Sequence, residues 1–132
     1  MTASGILTTL YVFTFTDGSE PTSLVQATDG NFYGTTVWGG ADGLGTVFRL
    51  STGLGPFVKF VQPSGKIGQT KEIIGQGLRG TTSVSFNGNS ASFTIVSDSL
   101  IKATVPAGAI TGFVTVQTPS RTLKSNVVFR VF

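Results

Sequence analysis

Chemistry in this chain falls to a short set of side chains, because its 132 residues include neither histidine nor cysteine. Without imidazole or thiolate there is no Ser-His-Asp or Cys-His nucleophile system, no facial triad, no disulfide and no cysteine-ligated metal. Six carboxylates are left for acid-base work: Asp17, Glu20, Asp29, Asp42, Glu72 and Asp98. A glycosidase needs two of them facing each other across a bond, and none lies in a recognisable catalytic setting. Asp98, within Ser97-Asp98-Ser99, reads as a turn former and Glu72 as a solvent-facing strand residue. The acidic residues of the first half sit in Asp-Gly turns, which raises calcium as a ligand. Yet there is no Asp-x-Asp-x-Asp-Gly loop and no bidentate Glu after one. The expectation is no catalytic residue, no metal and no cofactor.

Binding is open to the aromatic and basic residues. Trp38, beside Gly39-Gly40 and close to Tyr33, is the candidate ligand-binding platform, since a flat aromatic next to small residues can stack on the apolar face of a sugar. Its structural alternative is that Trp38 packs against the body of the protein, as large aromatics in small β-proteins do. Eight basic residues, Lys59, Lys66, Lys71, Arg79, Lys102, Arg121, Lys124 and Arg130, raise nucleic acid as a partner. They are scattered, with no basic run and no aromatic interleaving, so a solvated basic surface and no nucleic-acid partner are expected. Gly75-Gln76-Gly77-Leu78-Arg79-Gly80 formally fits a dinucleotide fingerprint. That fingerprint works through a helix N-terminus, which an all-β setting does not supply, so it reads as a turn.

Charge is unevenly split. Residues 1–56 carry Arg49 against four acidic residues, a balance of −3, and residues 57–132 carry eight basic residues against Glu72 and Asp98, a balance of +6. No run approaches the roughly 18 to 20 apolar residues of a membrane-spanning helix, so no membrane insertion is expected. The start Met1-Thr2-Ala3-Ser4-Gly5 lacks a basic region and apolar core of the secretory type. Such a start suits a cytoplasmic protein or a piece of a longer exported one.

The elements that must position these residues are strands. Charged residues are scarce while Gly, Thr, Ser, Val and Phe abound, a composition that favours pleated, half-buried surfaces joined by tight turns. In the first half, apolar runs at 10–15, 23–27, 32–37 and 46–50 predict a four-stranded β-meander, with Asp29-Gly30 as the strongest hairpin turn. Residues 52–56 read as a Gly- and Pro-containing linker. Beyond it, seven runs are expected as strands: 57–61, 70–74, 82–86, 91–96, 100–105, 113–117 and 125–131. Strand alternation assigns the core to Val84, Phe86, Ala91, Phe93, Ile95, Ile101, Ala103, Val105, Val114, Val116, Val127, Phe129 and Val131. On that register Phe93→Ala should cost about 3 to 5 kcal/mol.

Two family resemblances sit on these residues. Gly65-Lys66-Ile67-Gly68-Gln69-Thr70, Ile73-Ile74-Gly75-Gln76-Gly77-Leu78, Val84-Ser85-Phe86-Asn87-Gly88, Val105-Pro106-Ala107-Gly108-Ala109 and Thr111-Gly112 follow one another in an order that resembles the immunoglobulin-like IPT/TIG family. Leu10-Tyr11-Val12-Phe13, Asp29-Gly30-Asn31-Phe32-Tyr33-Gly34-Thr35-Thr36 and Gly45-Thr46-Val47-Phe48-Arg49-Leu50 resemble one unit of the GloVer-type tandem repeat of bacterial surface proteins. The resemblances imply an all-β chain: a GloVer-like unit over 1–51, a linker over 52–56 and a TIG antiparallel β-sandwich over 57–132. They further imply an extracellular or cell-surface module with an adhesive, receptor-like or spacer role. Its partner would be another protein, a second copy of the chain in a homo-oligomer, or a glycan held around Trp38. A single repeat unit leaves its faces and edges uncovered, which predicts packing on the sandwich or self-association.

Overall fold

The computed structural model describes residues 5–132. The chain folds into two compact units. One comprises residues 5–26 together with Phe32–Ser51, and the other comprises Ala27–Asn31 and Thr52–Phe132.

The first unit is a three-stranded antiparallel sheet of β1 (Ser19–Gln26), β2 (Phe32–Trp38) and β3 (Val47–Leu50), with β2 in the centre. The register puts Leu24, Gly34 and Phe48 in one row, and Val25, Tyr33 and Arg49 in the next. An extra residue, Thr22, bulges between Pro21 and Ser23 of β1, and the bulge with its proline blunts that edge against further strand pairing. The expected fourth strand at 10–15 is absent, and the meander has three strands. The reason lies at Thr14: its carbonyl accepts from the N–H groups of Asp17 and Gly18 at 3.1 and 3.0 Å, closing a turn where a ladder would have to run. The rings before that turn pack on the sheet instead of pairing with its edge.

This unit has almost no interior. Among its described residues only Gly18, Gly34, Thr36 and Gly39 are buried, and no apolar side chain is. Its centre is polar. The Thr36 hydroxyl donates to the Trp38 carbonyl at 3.1 Å and accepts from the Thr46 N–H at 2.9 Å, while the Thr46 hydroxyl donates to the Asp17 carbonyl at 3.2 Å.

In the second unit two four-stranded sheets face each other. One has the order β4 (Lys59–Phe60), β6 (Thr70–Ile74), β10 (Leu100–Thr104), β9 (Phe93–Ser97). The other has the order β12 (Thr122–Lys124), β11 (Val114–Gln117), β7 (Ser83–Phe86), β8 (Asn89–Ala91). A short pair joins β5 (Ser64–Gly65) to β13 (Arg130–Val131) in parallel, and a second parallel bridge links Val58 to Ser125, so the last stretch of the chain departs from a purely antiparallel pattern. Directly after residues 52–56, the Phe57 N–H donates to the Thr28 carbonyl at 3.0 Å.

Among the described residues, the buried apolar side chains all belong to this sandwich: Val58, Phe60, Ile73, Leu78, Val84, Phe86, Ile101, Ala103, Val105, Ala109, Val114, Val116, Leu123 and Phe129. Phe60, Phe86 and Phe129 form its densest point, with Phe86 and Phe129 edge to face at 5.0 Å and Phe60 4.8 Å from Phe129. Ala91, Phe93, Ile95 and Val131 are half-buried at the margin, because β9, which carries Phe93 and Ile95, is an edge strand with only one neighbour.

Two strand expectations need correction. The run 91–96 is not one strand: it breaks at Ser92, so that β8 pairs with β7 in one sheet and β9 with β10 in the other. The run 125–131 is broken too, because the buried Ser125 hydroxyl donates to the Val127 carbonyl at 2.8 Å and bends the chain. That bend ends the alternation, and Val127, expected in the core, is 42% exposed.

Candidate functional site

The residues singled out for binding do not come together. β2 is regular from Phe32 to Trp38, and on a regular strand residues five apart point to opposite faces. Tyr33 therefore lies on the face of Val25 and Arg49, and Trp38 on the face of Gly34, at the strand end opposite Ser19. Both are exposed, and they do not make one platform.

The carboxylates are spread as turn and ladder groups. Asp29 accepts from the N–H and the side-chain amide of Asn31 at 2.9 and 3.0 Å. Glu72 meets Lys102 at 3.5 Å across the exposed face of β6 and β10. Asp98 accepts from the N–H groups of Gly77 and Arg79, both at 3.2 Å, and so holds the glycine-rich 75–80 loop that resembles a phosphate cradle on paper. The donors such a cradle would offer are already taken by the chain's own carboxylate. Among the described residues no three His, Cys, Asp or Glu side chains converge where they could hold a metal ion. The basic residues stay dispersed; Lys124 lies over the Phe113 ring at 3.9 Å from its centroid.

The best-formed concavity is a groove of about 730 Å³ on the first unit, within the 300 to 1,000 Å³ or so typical of small-ligand sites. Its floor follows from one residue type at one position. Gly34 has no side chain, so the ring of Phe48 from β3 lies over it; a Cβ there would sit 2.5 Å from that ring. Leu24 of β1 and Leu50 of β3 flank the floor, and the segment 8–11 with Phe13 and Asp17 makes the wall.

The wall is an aromatic row. Phe13 stands edge-on to Phe48 at 4.8 Å, and Tyr11 edge-on to Phe13 at 5.1 Å. The Tyr11 hydroxyl donates to one oxygen of the Asp17 carboxylate. The other oxygen accepts from the Thr14 N–H at 2.7 Å and the Thr14 hydroxyl at 3.0 Å. Tyr11 is thus fixed in orientation at both ends of its ring while remaining 57% exposed. The sequence signal for this site was present in the spacing of Tyr11, Thr14 and Asp17, but only a turn at 14–17 makes that spacing meaningful.

The same bonds shift both ionisations. Tyr11's hydroxyl, with the Thr14 donors behind it, holds the Asp17 carboxyl below the usual carboxylate value, and the bond to Asp17 raises the Tyr11 phenol above its own. For Asp17 the charged form is favoured in the fold, so its contribution is complete above the ordinary carboxylate value and is lost as pH falls through the lowered one. For Tyr11 the neutral form is favoured, so the contribution is complete below the ordinary phenol value and is lost as pH rises through the raised one. The 14–17 turn and the Tyr11 ring are expected to keep their chemical shifts from mildly acidic to mildly alkaline pH. In a carboxyl-carbon NMR titration the Asp17 midpoint should lie below the ordinary aspartate value; a midpoint at or above that value contradicts the Tyr11 bond.

The family model of the IPT/TIG domain matches residues 56–130. The chain belongs to the IPT/TIG family. Its match covers the sandwich and stops short of the grooved sheet. No curated protein matches the chain. Among solved structures, the TIG chain is similar to an auxiliary nutrient binding protein from Bacteroides ovatus ATCC 8483, with 16% identity over 58% of this chain and a TM-score of 0.49. It is also similar to SGBP-B of the Bacteroides ovatus mixed-linkage glucan utilization locus, a structure in complex with a mixed-linkage heptasaccharide, with 15% identity over 80% of this chain and a TM-score of 0.44. The chain spans 20% and 30% of those two proteins.

Proposed function

We propose that this chain is a non-catalytic interaction module of a cell-surface protein, in which the TIG sandwich is a preformed body and the N-terminal sheet associates with a second copy of itself. One observation carries the reading: among the described residues every buried apolar side chain lies in the sandwich, whereas Val25, Val37 and Val47 of the sheet are 66%, 41% and 79% exposed. By strand parity these three share the face of β1, β2 and β3 turned away from the groove. An unpaired apolar sheet face of this kind marks an interaction surface in a protein that is otherwise well packed.

A second copy suits that face for a stated reason. Val25, Val37 and Val47 lie on three neighbouring strands, with Arg49 of β3 and Glu20 of β1 beside them, so a two-fold related copy offers the same apolar group together with charges of both signs. The reading of residues 9–51 as one GloVer-type unit agrees with this, because units of a tandem array cover each other and a single unit does not. Sedimentation velocity over a concentration series, on the full chain and on its Val47→Lys variant, tests the proposal. Reversible dimerisation of the parent and a monomeric variant are expected. A parent that remains a sharp monomer at the highest concentrations removes the self-association reading.

A further inference from the structure

The groove on the opposite face of the same sheet raises a separate question. Tyr11 is exposed, yet its orientation is specified twice, by the carboxylate at its hydroxyl and by the edge contact with Phe13, which in turn leans on Phe48. An aromatic placed only to fill space would be covered; this one is held open beside a cavity. From the groove's aromatic wall, its apolar floor and the Asp17 carboxylate at its end, we infer that it is a binding site for a neutral saccharide.

Each part of a sugar has a counterpart there. A pyranose ring presents one face of C–H groups and a rim of hydroxyls. The C–H face suits the exposed ring of Tyr11 and the half-buried rings of Phe13 and Phe48, as concave sites that are mostly apolar with a few fixed polar groups generally do. The hydroxyl rim needs acceptors. Asp17 supplies them, because a carboxylate has about four acceptor sites and the bonds from Tyr11 and Thr14 take three. The hydroxyls of Thr8 and Thr9 add groups that can donate or accept at the rim.

The charge selects the class within that chemistry. Asp17 is the only acidic side chain along the groove, and it stays ionised well into the acid range by the direction of its shift. Arg49 contributes to the lining, but it is registered against Tyr33, whose side chain points to the other face. Acidic saccharides and phosphorylated ligands would therefore meet a carboxylate without a facing cation, whereas a neutral one meets only acceptors and rings. This site is not the Trp38 platform: Trp38 does not line the groove.

The test is an NMR titration of the full chain, at concentrations below any self-association, with maltohexaose, cellohexaose, xylohexaose and mannohexaose at millimolar levels. Saturable shifts confined to residues 8–17, 24 and 48–50 are expected with at least one of the four. Tyr11→Ala should weaken that binding by tenfold or more, and Asp17→Asn, which keeps the turn's acceptor oxygen, by a smaller factor, with amide protection of β1 to β3 retained in both. Trp38→Ala should leave it unchanged. No shift from any of the four overturns the inference, as does binding that survives Tyr11→Ala or is lost in Trp38→Ala. Groove shifts produced only by an apolar, extended hexapeptide also overturn it, and assign the groove to a protein strand. None of these outcomes depends on whether the valine face dimerises.

Discussion

Phe129→Ala is expected to destabilise the sandwich by about 3 to 5 kcal/mol, the range for removing a fully buried aromatic side chain. For a unit of this size that corresponds to a fall of about 12 °C or more in its melting temperature. Phe129 is 1% exposed and is shared by two other rings, Phe60 at 4.8 Å and Phe86 at 5.0 Å, so its loss opens a cavity that neither neighbour can fill without abandoning the other. Phe93 is the internal comparison. Sequence alternation gives it the same cost, but it sits half-buried on the edge strand β9, where surrounding side chains and water can close over the gap. Phe93→Ala is expected to cost about half as much or less. Urea denaturation of both variants decides the matter: equal losses would mean that β9 is not an open edge, and a negligible loss for Phe129 would mean that the three-ring cluster is wrong.

The second large effect is local to the grooved sheet. Gly39 has φ +84°, and a Cβ added there would lie 2.3 Å from the Phe15 carbonyl oxygen. Alanine therefore meets two penalties: about 1 to 2 kcal/mol for the left-handed backbone, and a backbone collision that no rotamer change relieves. Relief requires Phe15 to move, which breaks the bond from the Gly40 N–H to the Phe15 carbonyl, 3.1 Å long. Gly39→Ala is expected to cost the first unit more than about 2 kcal/mol. Hydrogen exchange should show loss of protection at Gly40, Asp17 and Gly18, with the sandwich amides unaffected. Gly43→Ala is the control. Gly43 also has a positive φ, +71°, but open space around its Cβ position, so only the conformational penalty applies. Equal effects at the two glycines would show that the 13–18 segment does not rest on Gly39.

These variants also bear on binding. Tyr11, Phe13 and Asp17 belong to the wall of the groove, and their segment is anchored through Phe13 on Phe48, through Phe15 on the Gly39-Gly40 turn and through Asp17 on Thr14. A sheet with no buried apolar side chain has little else to hold such a segment in place. Orientation of Tyr11 depends on a few directional bonds, which is why single substitutions there have large predicted effects on ligand binding.

How much of this was legible beforehand varies by element, for physical reasons. The strands β7, β10 and β11 are long enough for alternation to show, and the expected Val84, Phe86, Ile101, Ala103, Val114 and Val116 are buried between the sheets. β12 was missed because it has three residues and one apolar member, Leu123; a period of two cannot be detected in a single term. Leu78 was missed for another reason: it enters the core from the glycine-rich loop, pinned by its N–H to the Asp98 carbonyl at 2.9 Å, and no periodicity describes a loop. The groove was invisible because Leu10 to Phe15 has the composition of a strand. Five apolar residues in six carry no parity, and only the turn at Thr14 decides that they pack on a face rather than extend an edge.

Sequence alone determined that this is an all-β chain with the longer series of strands in its second part, and that histidine- and cysteine-based chemistry is excluded. Those statements depend on composition and on short-range periodicity, which are properties of neighbours in the chain. Tertiary structure decided which side chains meet: that Tyr33 and Trp38 part to opposite faces, that Tyr11, Phe13 and Phe48 form a row, and that, among the described residues, every fully buried apolar side chain lies in one unit. Such outcomes depend on register, on one bulge and on two turns, where a shift of a single residue sends a side chain to the other face of its sheet.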